Sequence, residues 1–310
     1  MRSSIEAAGP AAHDATGSAH RPLSGGTTMD GIIDVHAHLG KVIYGYPPLT
    51  VEKLLSFMDA HDIEWSVILP LVHPEEEDYY YTTEQALADC ALHADRLIPF
   101  ANIDPRRSSN DGAYDFCPVL KEYADQGCRG CGEFLCNLPT NDARMKGIYR
   151  ACGQLGWPVV FDFRWQRTSG VLDPVGMPWL EECLLEFPET VFVGHGPAWW
   201  AEISADVTDE DKSGYPEGPV APGGSIDRLL GQYPNLHADL SAGSGLNAFR
   251  RDVAYAREFV LKHAGKLMFG TDRFVREEDP EMIRVLREMA LPADVEYAVF
   301  RGNAERMLGL

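Results

Sequence analysis

Between residues 32 and 289 the chain alternates short apolar runs with amphipathic stretches eight times. The strand-like runs are 32–38, 65–71, 97–102, 128–134, 159–163, 191–195, 236–240 and 267–271. Helical periodicity follows them in 51–61, 83–94, 114–125, 143–155, 179–187, 226–233, 251–263 and 281–289. Breaks are marked by glycine or proline, as at Gly156-Trp157-Pro158 and Tyr233-Pro234. Strands joined through helices must run parallel, which makes this an α/β chain. Eight such units match a (β/α)₈ TIM barrel, a fold that takes roughly 250 residues. A doubly wound open sheet would place a glycine-rich G-x-G-x-x-G turn after the first strand, and none is present.

Residues 1–28 are small and polar and lack an apolar segment, so they are expected to form a disordered tail. The barrel domain is assigned to 29–310. Forty-seven acidic against 27 basic residues give a net charge of −20, a surface that repels nucleic acid and anionic membranes. No run reaches the 18 or so apolar residues of a membrane span. Seven cysteines, an odd number, point to reduced thiols in a cytoplasm. Cys128, Cys131 and Cys136 sit in or beside an apolar run with no second C-x-x-C, which favours packing over structural zinc.

Chemistry in such a barrel gathers where the strands end. His36 and His38 close the first strand, two residues apart and so on one face. Glu133 closes the fourth, Asp162 the fifth and His195 the sixth, and Asp272 follows the eighth. Burying such groups without a partner or a metal is costly, so together they suggest a metal site. Asp34, read as one pleat deeper on the His36 face, is either an imidazole acceptor or a structural residue at the strand start.

The motifs I-I-D-V-H-A-H at 32–38, F-V-G-H-G-P at 192–197 and L-M-F-G-T-D at 267–272 resemble the amidohydrolase superfamily. The match is to its amidohydrolase-related branch of decarboxylases, hydratases and lactonases. The closing R-G-N-A-E-R-M-L-G-L at 301–310 is similar to that branch as well. The resemblance implies that His36, His38 and Asp272 ligate a divalent ion, with zinc expected first and manganese second. It leaves room for a second metal. It makes His195 a water activator or proton shuttle, and Asp272 both ligand and base. Glu133 falls near a metal-bridging position, its alternative being a pair with Arg129 or Arg164. Where the branch carries a fifth-strand histidine, this chain has Asp162. That residue is either a substituted ligand favouring harder ions or a sign of weakened metal binding.

These residues suit a metal-dependent hydrolase of a small anionic substrate acting through metal-activated water. A non-oxidative decarboxylase of an aromatic or unsaturated acid is the alternative, and a catalytically silent binding barrel the second. Arg164 and Arg273, with Lys41 and Arg167, fall in loops after strand ends and are candidates to read the substrate anion. Trp199 is expected to touch substrate. It would belong to an aromatic wall or lid with Trp200, Tyr215, Tyr44, Tyr46 and Trp165, unless these rings only pack their loops. Association into a homo-oligomer stays open.

Overall fold

A computed structural model of the protein describes residues 31–75, 78–165, 169–274 and 280–310. The tail expected at 1–28 and Arg167 lie outside these residues. Eight barrel strands are present: β1 (Ile32–Ala37), β2 (Ile63–Ile68), β3 (Leu97–Pro99), β4 (Cys131–Phe134), β5 (Pro158–Asp162), β6 (Val191–His195), β7 (Leu236–Asp239) and β8 (Leu267–Met268). β1 to β3 form one parallel ladder and β4 to β8 another. Backbone hydrogen bonds continue across both seams. Ala101 N–H donates to Gly130 O at 2.9 Å and Gly132 N–H to Ala101 O at 2.8 Å. On the other side Val35 N–H reaches Phe269 O at 3.0 Å and Asp272 N–H reaches His36 O at 2.8 Å. Every barrel strand therefore has a bonded neighbour on each side, the arrangement that removes exposed edges.

The expected strands match to within a few residues at their ends, where ladder pairing stops before the apolar run does. Ile33, Val35, Val67, Leu69, Ile98, Phe100, Val160, Val193 and Met268 form one buried cluster, closed by Ala304 and Leu308 of the C-terminal helix Asn303–Leu308. Arg129 pins that helix by donating to Leu308 O at 2.8 Å. Helices begin at the caps their sequences provide, such as Thr82 and Gln85 in a reciprocal capping box. The helix expected from residue 114 starts instead at Cys117, because Pro118 suits a first turn better than an interior. Helix Ala242–Arg250 was not anticipated. Within it Gly245 packs so closely on Leu240 that a Cβ would lie 2.5 Å from that residue's carbonyl oxygen.

No helix among the described residues is long and apolar enough to cross a membrane. All seven cysteines are free thiols, and neither Cys128 nor Cys131 joins a metal-ligand group among the described residues.

The loops after β5 and β6 are tied together by a fully buried ion pair. Lys212 Nζ lies 2.6 Å from Glu202 Oε1 and donates to the carbonyls of Asp173 and Pro174 at 3.0 and 3.1 Å. Glu202 also accepts from Gly176 N–H at 3.0 Å. Removing one partner strands a buried charge, so Lys212→Met is expected to destabilise the fold by about 3–5 kcal/mol. The double variant Lys212→Met/Glu202→Gln should recover much of that loss, as read from denaturant midpoints.

Candidate metal centre

At the C-terminal mouth the imidazoles of His36 and His38 meet with their Nε2 atoms 3.0 Å apart. Glu133 Oε2 lies 3.2 Å from His36 Nε2 and 3.3 Å from His38 Nε2. Asp272 Oδ1 lies 3.5 and 3.2 Å from the same two nitrogens. Asp272 reaches them from a left-handed backbone conformation, φ 54°, which aspartate tolerates better than most residues. Both carboxylate oxygens thus lie 3.2–3.5 Å from the two imidazole nitrogens. Zinc bonds of roughly 2.0–2.1 Å in a tetrahedron put donors about 3.3–3.4 Å apart, close to the spacing observed.

The outward-facing nitrogens fix which atoms look inward. His38 Nδ1 sits 2.9 Å from Leu69 O, a pure acceptor, so Nδ1 carries the proton. His36 Nδ1 sits 2.6 Å from Asp239 Oδ2. Asp239 is buried, which alone would raise its pKa, but His36 and His195 hold it well below the ordinary carboxylate range. His36 Nδ1 therefore also donates, and both Nε2 atoms present lone pairs to each other. That apposition, with two carboxylates beside it, requires a positive charge between them.

Proton affinities express the same demand. Burial, the largest effect, would lower the pKa of His38, but its bonds to Asp272 and Glu133 prevail and raise it to about 9. Burial likewise opposes His36, which Glu133 and Asp239 nonetheless lift well above its usual value. Glu133 is pushed up by burial and pulled further down by His36 and His38, so it is ionised.

His195 completes the group. Its Nδ1 lies 3.0 Å from Ser241 Oγ and 3.4 Å from Asp239 Oδ2. Its Nε2 lies 3.6 Å from Glu133 Oε1 and 4.0 Å from Asp272 Oδ2. Burial and the nearby His36 would lower its pKa, yet Asp239 and Glu133 raise it overall.

Asp239 was missed in the sequence although it closes the seventh apolar run. The strand-end rule applied to the other strands would have found it. It does the work that Asp34 was considered for. Asp34 instead accepts from Thr271 N–H at 2.9 Å, Thr271 Oγ1 at 2.7 Å and Ser66 Oγ at 3.3 Å, fastening β8 and β2 to β1. A shift of β1–β2 register between Asp34 and Ala37 breaks the simple alternation, so Asp34 and His36 do not serve one face.

Asp162 is buried and forms with Glu133 and His195 a second group of donor atoms, all within 4.8 Å of one another, that could hold an ion, but it groups with neither His36 nor His38. Its Oδ2 accepts from Arg164 Nε at 2.6 Å. Glu133 pairs with imidazoles rather than with Arg129, whose guanidinium serves the C-terminal helix. Arg164 lines the cavity beside the centre, about 110 Å³ in volume, with His38, Glu133, Asp162 and Asp272. Its apolar wall is Val42, Ile43, Leu71, Leu135 and Phe274.

Two of the candidate residues lie in other surroundings. Arg273 does not line this cavity; its guanidinium stacks 3.7 Å over the Phe57 ring, on the helix Val51–Ala60. Trp199 is fully buried, stacked 5.8 Å from Phe163 and so close to Gly194 that a Cβ there would lie 2.5 Å from its ring. It packs the loop. Trp200 is also internal, its Nε1 donating to Asp239 O at 3.1 Å. Tyr44, Tyr46 and Tyr215 are exposed, and Lys41 sits 4.5 Å over the Tyr79 ring.

The family model described as "Amidohydrolase" matches residues 33–310. No curated protein sequence matches the chain. Among solved structures, a putative 2-pyrone-4,6-dicarboxylic acid hydrolase from Pseudomonas putida is 16% identical with a TM-score of 0.61, over 90% of this chain and 98% of that one. A 2,6-dihydroxybenzoate decarboxylase from Rhizobium is 16% identical with a TM-score of 0.54, over 91% and 99%. An amidohydrolase from Burkholderia multivorans with bound zinc is 14% identical with a TM-score of 0.58, over 90% and 99%. At these identities the likeness is one of fold.

If Asp239 orients His36, Asp239→Ala should weaken zinc binding by about 10–100-fold while the barrel stays folded. Competition against a chromophoric chelator, alongside circular dichroism, measures both.

Proposed function

The chain belongs to the amidohydrolase family, and from that premise we propose that it is a metal-dependent hydrolase of a small, anionic organic substrate. The observation that carries this reading is the pair of imidazole lone pairs held 3.0 Å apart among carboxylates. His36, His38, Glu133 and Asp272 would hold the ion, and their nitrogen and oxygen donors suit zinc first and manganese second. Glu133 presents its other oxygen to His195, so a second ion would share that carboxylate with the first. When bound, such an ion supplies Lewis acidity toward a substrate oxygen and lowers the pKa of water toward roughly 7.

The chain's own groups then handle protons. His195 Nε2 and Asp272 Oδ2 lie 4.0 Å apart, so either could take a proton from water and itself return it to the leaving group. Asp239 and Ser241 hold His195 from behind and keep its Nε2 toward the reaction. The apolar wall formed by Val42, Ile43, Leu71, Leu135 and Phe274 accepts the hydrocarbon part of a substrate. Arg164, the one cation among the described lining residues, suits its acid group.

A non-oxidative decarboxylase is the second reading. It draws on the raised pKa of His195, since a protonated imidazole can deliver a proton to carbon. Seven free thiols support a reducing compartment such as the cytoplasm.

Elemental analysis of the purified chain should find a divalent metal, and His36→Ala/His38→Ala should abolish it with the barrel retained. A protein that neither carries nor binds Zn²⁺ or Mn²⁺ at micromolar levels contradicts the reading. Turnover of lactones, esters, amides and aromatic acids decides the reaction by mass spectrometry. A product that gains one water supports the hydrolase, whereas release of CO₂ without water uptake supports the lyase. In either case His195→Ala should cost about 10²–10⁴ in kcat with metal content unchanged.

A further inference from the structure

We propose that Asp162 is the positioning residue of Arg164 and not a metal ligand, fixing the guanidinium in the cavity wall to receive the substrate's acid group. The proposal rests on the anionic-substrate reading above. Three independent observations carry it.

The first is the contact: Arg164 Nε donates to Asp162 Oδ2 at 2.6 Å, and both residues line the cavity. A charge-assisted bond at Nε sets the plane of the guanidinium and hence the direction of its other N–H groups. The second is a backbone seat for the pair. Gly196, at φ 97°, follows β6, and a Cβ there would lie 2.1 Å from Asp162 Oδ1. Gly170, at φ 83°, opens the short strand Gly170–Leu172, and a Cβ there would lie 2.6 Å from both Cβ and Cγ of Arg164. Two glycines from separate segments thus leave room for the two halves of one ion pair. The third is the donor set: Glu133 and Asp272 already approach His36 and His38, whereas Asp162 groups only with Glu133 and His195, away from those two imidazoles, and its Oδ2 is engaged by Arg164.

Asp162 therefore separates two kinds of negative charge at one mouth. Glu133 and Asp272 serve the metal, while Asp162 serves the cation that meets the substrate. A preorganised arginine loses less freedom on binding than one that must be recruited.

The test is a double-variant cycle on the zinc-loaded full chain, with benzoate as the probe and its Kd read by calorimetry. Arg164→Ala is expected to weaken benzoate at least tenfold, and Asp162→Ala to a similar extent. The double variant should be no weaker than Arg164→Ala alone. Asp162→Asn, which keeps an acceptor for Nε, should restore most of the affinity. Zinc content should be equal in all four variants. Loss of zinc in both Asp162→Ala and Asp162→Asn would make Asp162 a ligand and overturn the proposal. So would additive losses in the double variant, or an unsubstituted chain that does not bind benzoate. Failure of the unsubstituted chain to bind zinc would refute the metal-dependent function, whereas the role of Asp162 stands or falls on the benzoate cycle.

Discussion

Three imidazoles can present lone pairs to a common point only if each Nδ1 is held from outside. Here the holders come from the ends of two different strands. Leu69 O follows β2 and accepts from His38 Nδ1, Asp239 closes β7 and accepts from His36 Nδ1, and Ser241 with Asp239 faces His195. One carboxylate thus serves two imidazoles. Its own position depends on the β7–β8 and β6–β7 ladders and on the indole of Trp200 donating to its carbonyl. The site therefore depends on closure of the barrel, because His36 of β1 is held by Asp239 of β7, and these two strands are not neighbours.

Closure also makes the charge bearable. Glu133, Asp162 and Asp239 are buried side chains, and a carboxylate removed from water needs a cation or hydrogen-bond donors. Each has them. Asp239 and Glu133 face imidazoles, and Asp162 faces Arg164. The same solution recurs away from the centre, where Lys212 and Glu202 neutralise each other beneath the loops that follow β5 and β6.

The cavity beside the centre mixes two chemistries. Its lining combines carboxylates, an imidazole and Arg164 with aliphatic and aromatic carbon. This combination suits a compact molecule that carries an acid group. It gives Arg273 and Trp199 no part, although both lie beside strand ends. Arg273 finds a more favourable partner in the face of Phe57. Trp199, being large and flat, fills the space left by Gly194 behind β6.

The sequence by itself determined the fold class and the location of the chemistry. Periodicity distinguishes strand from helix locally, and the order of eight such units leaves few topologies. His36, His38, His195 and Asp272 were legible because imidazoles and carboxylates at apolar strand ends are expensive unless used. What only the tertiary structure decided was which of these groups face one another. The register shift in β1 separates Asp34 from His36, and no count along the chain reveals a shift set by pairing with β2. Asp239 and Asp162 look alike as residues that close buried strands. One meets an imidazole at 2.6 Å and the other a guanidinium at 2.6 Å, because the neighbours of a strand end come from elements far away in sequence. Pairing across a closed barrel is a long-range property, and it assigns a partner to each carboxylate that local chemistry can only list as a candidate.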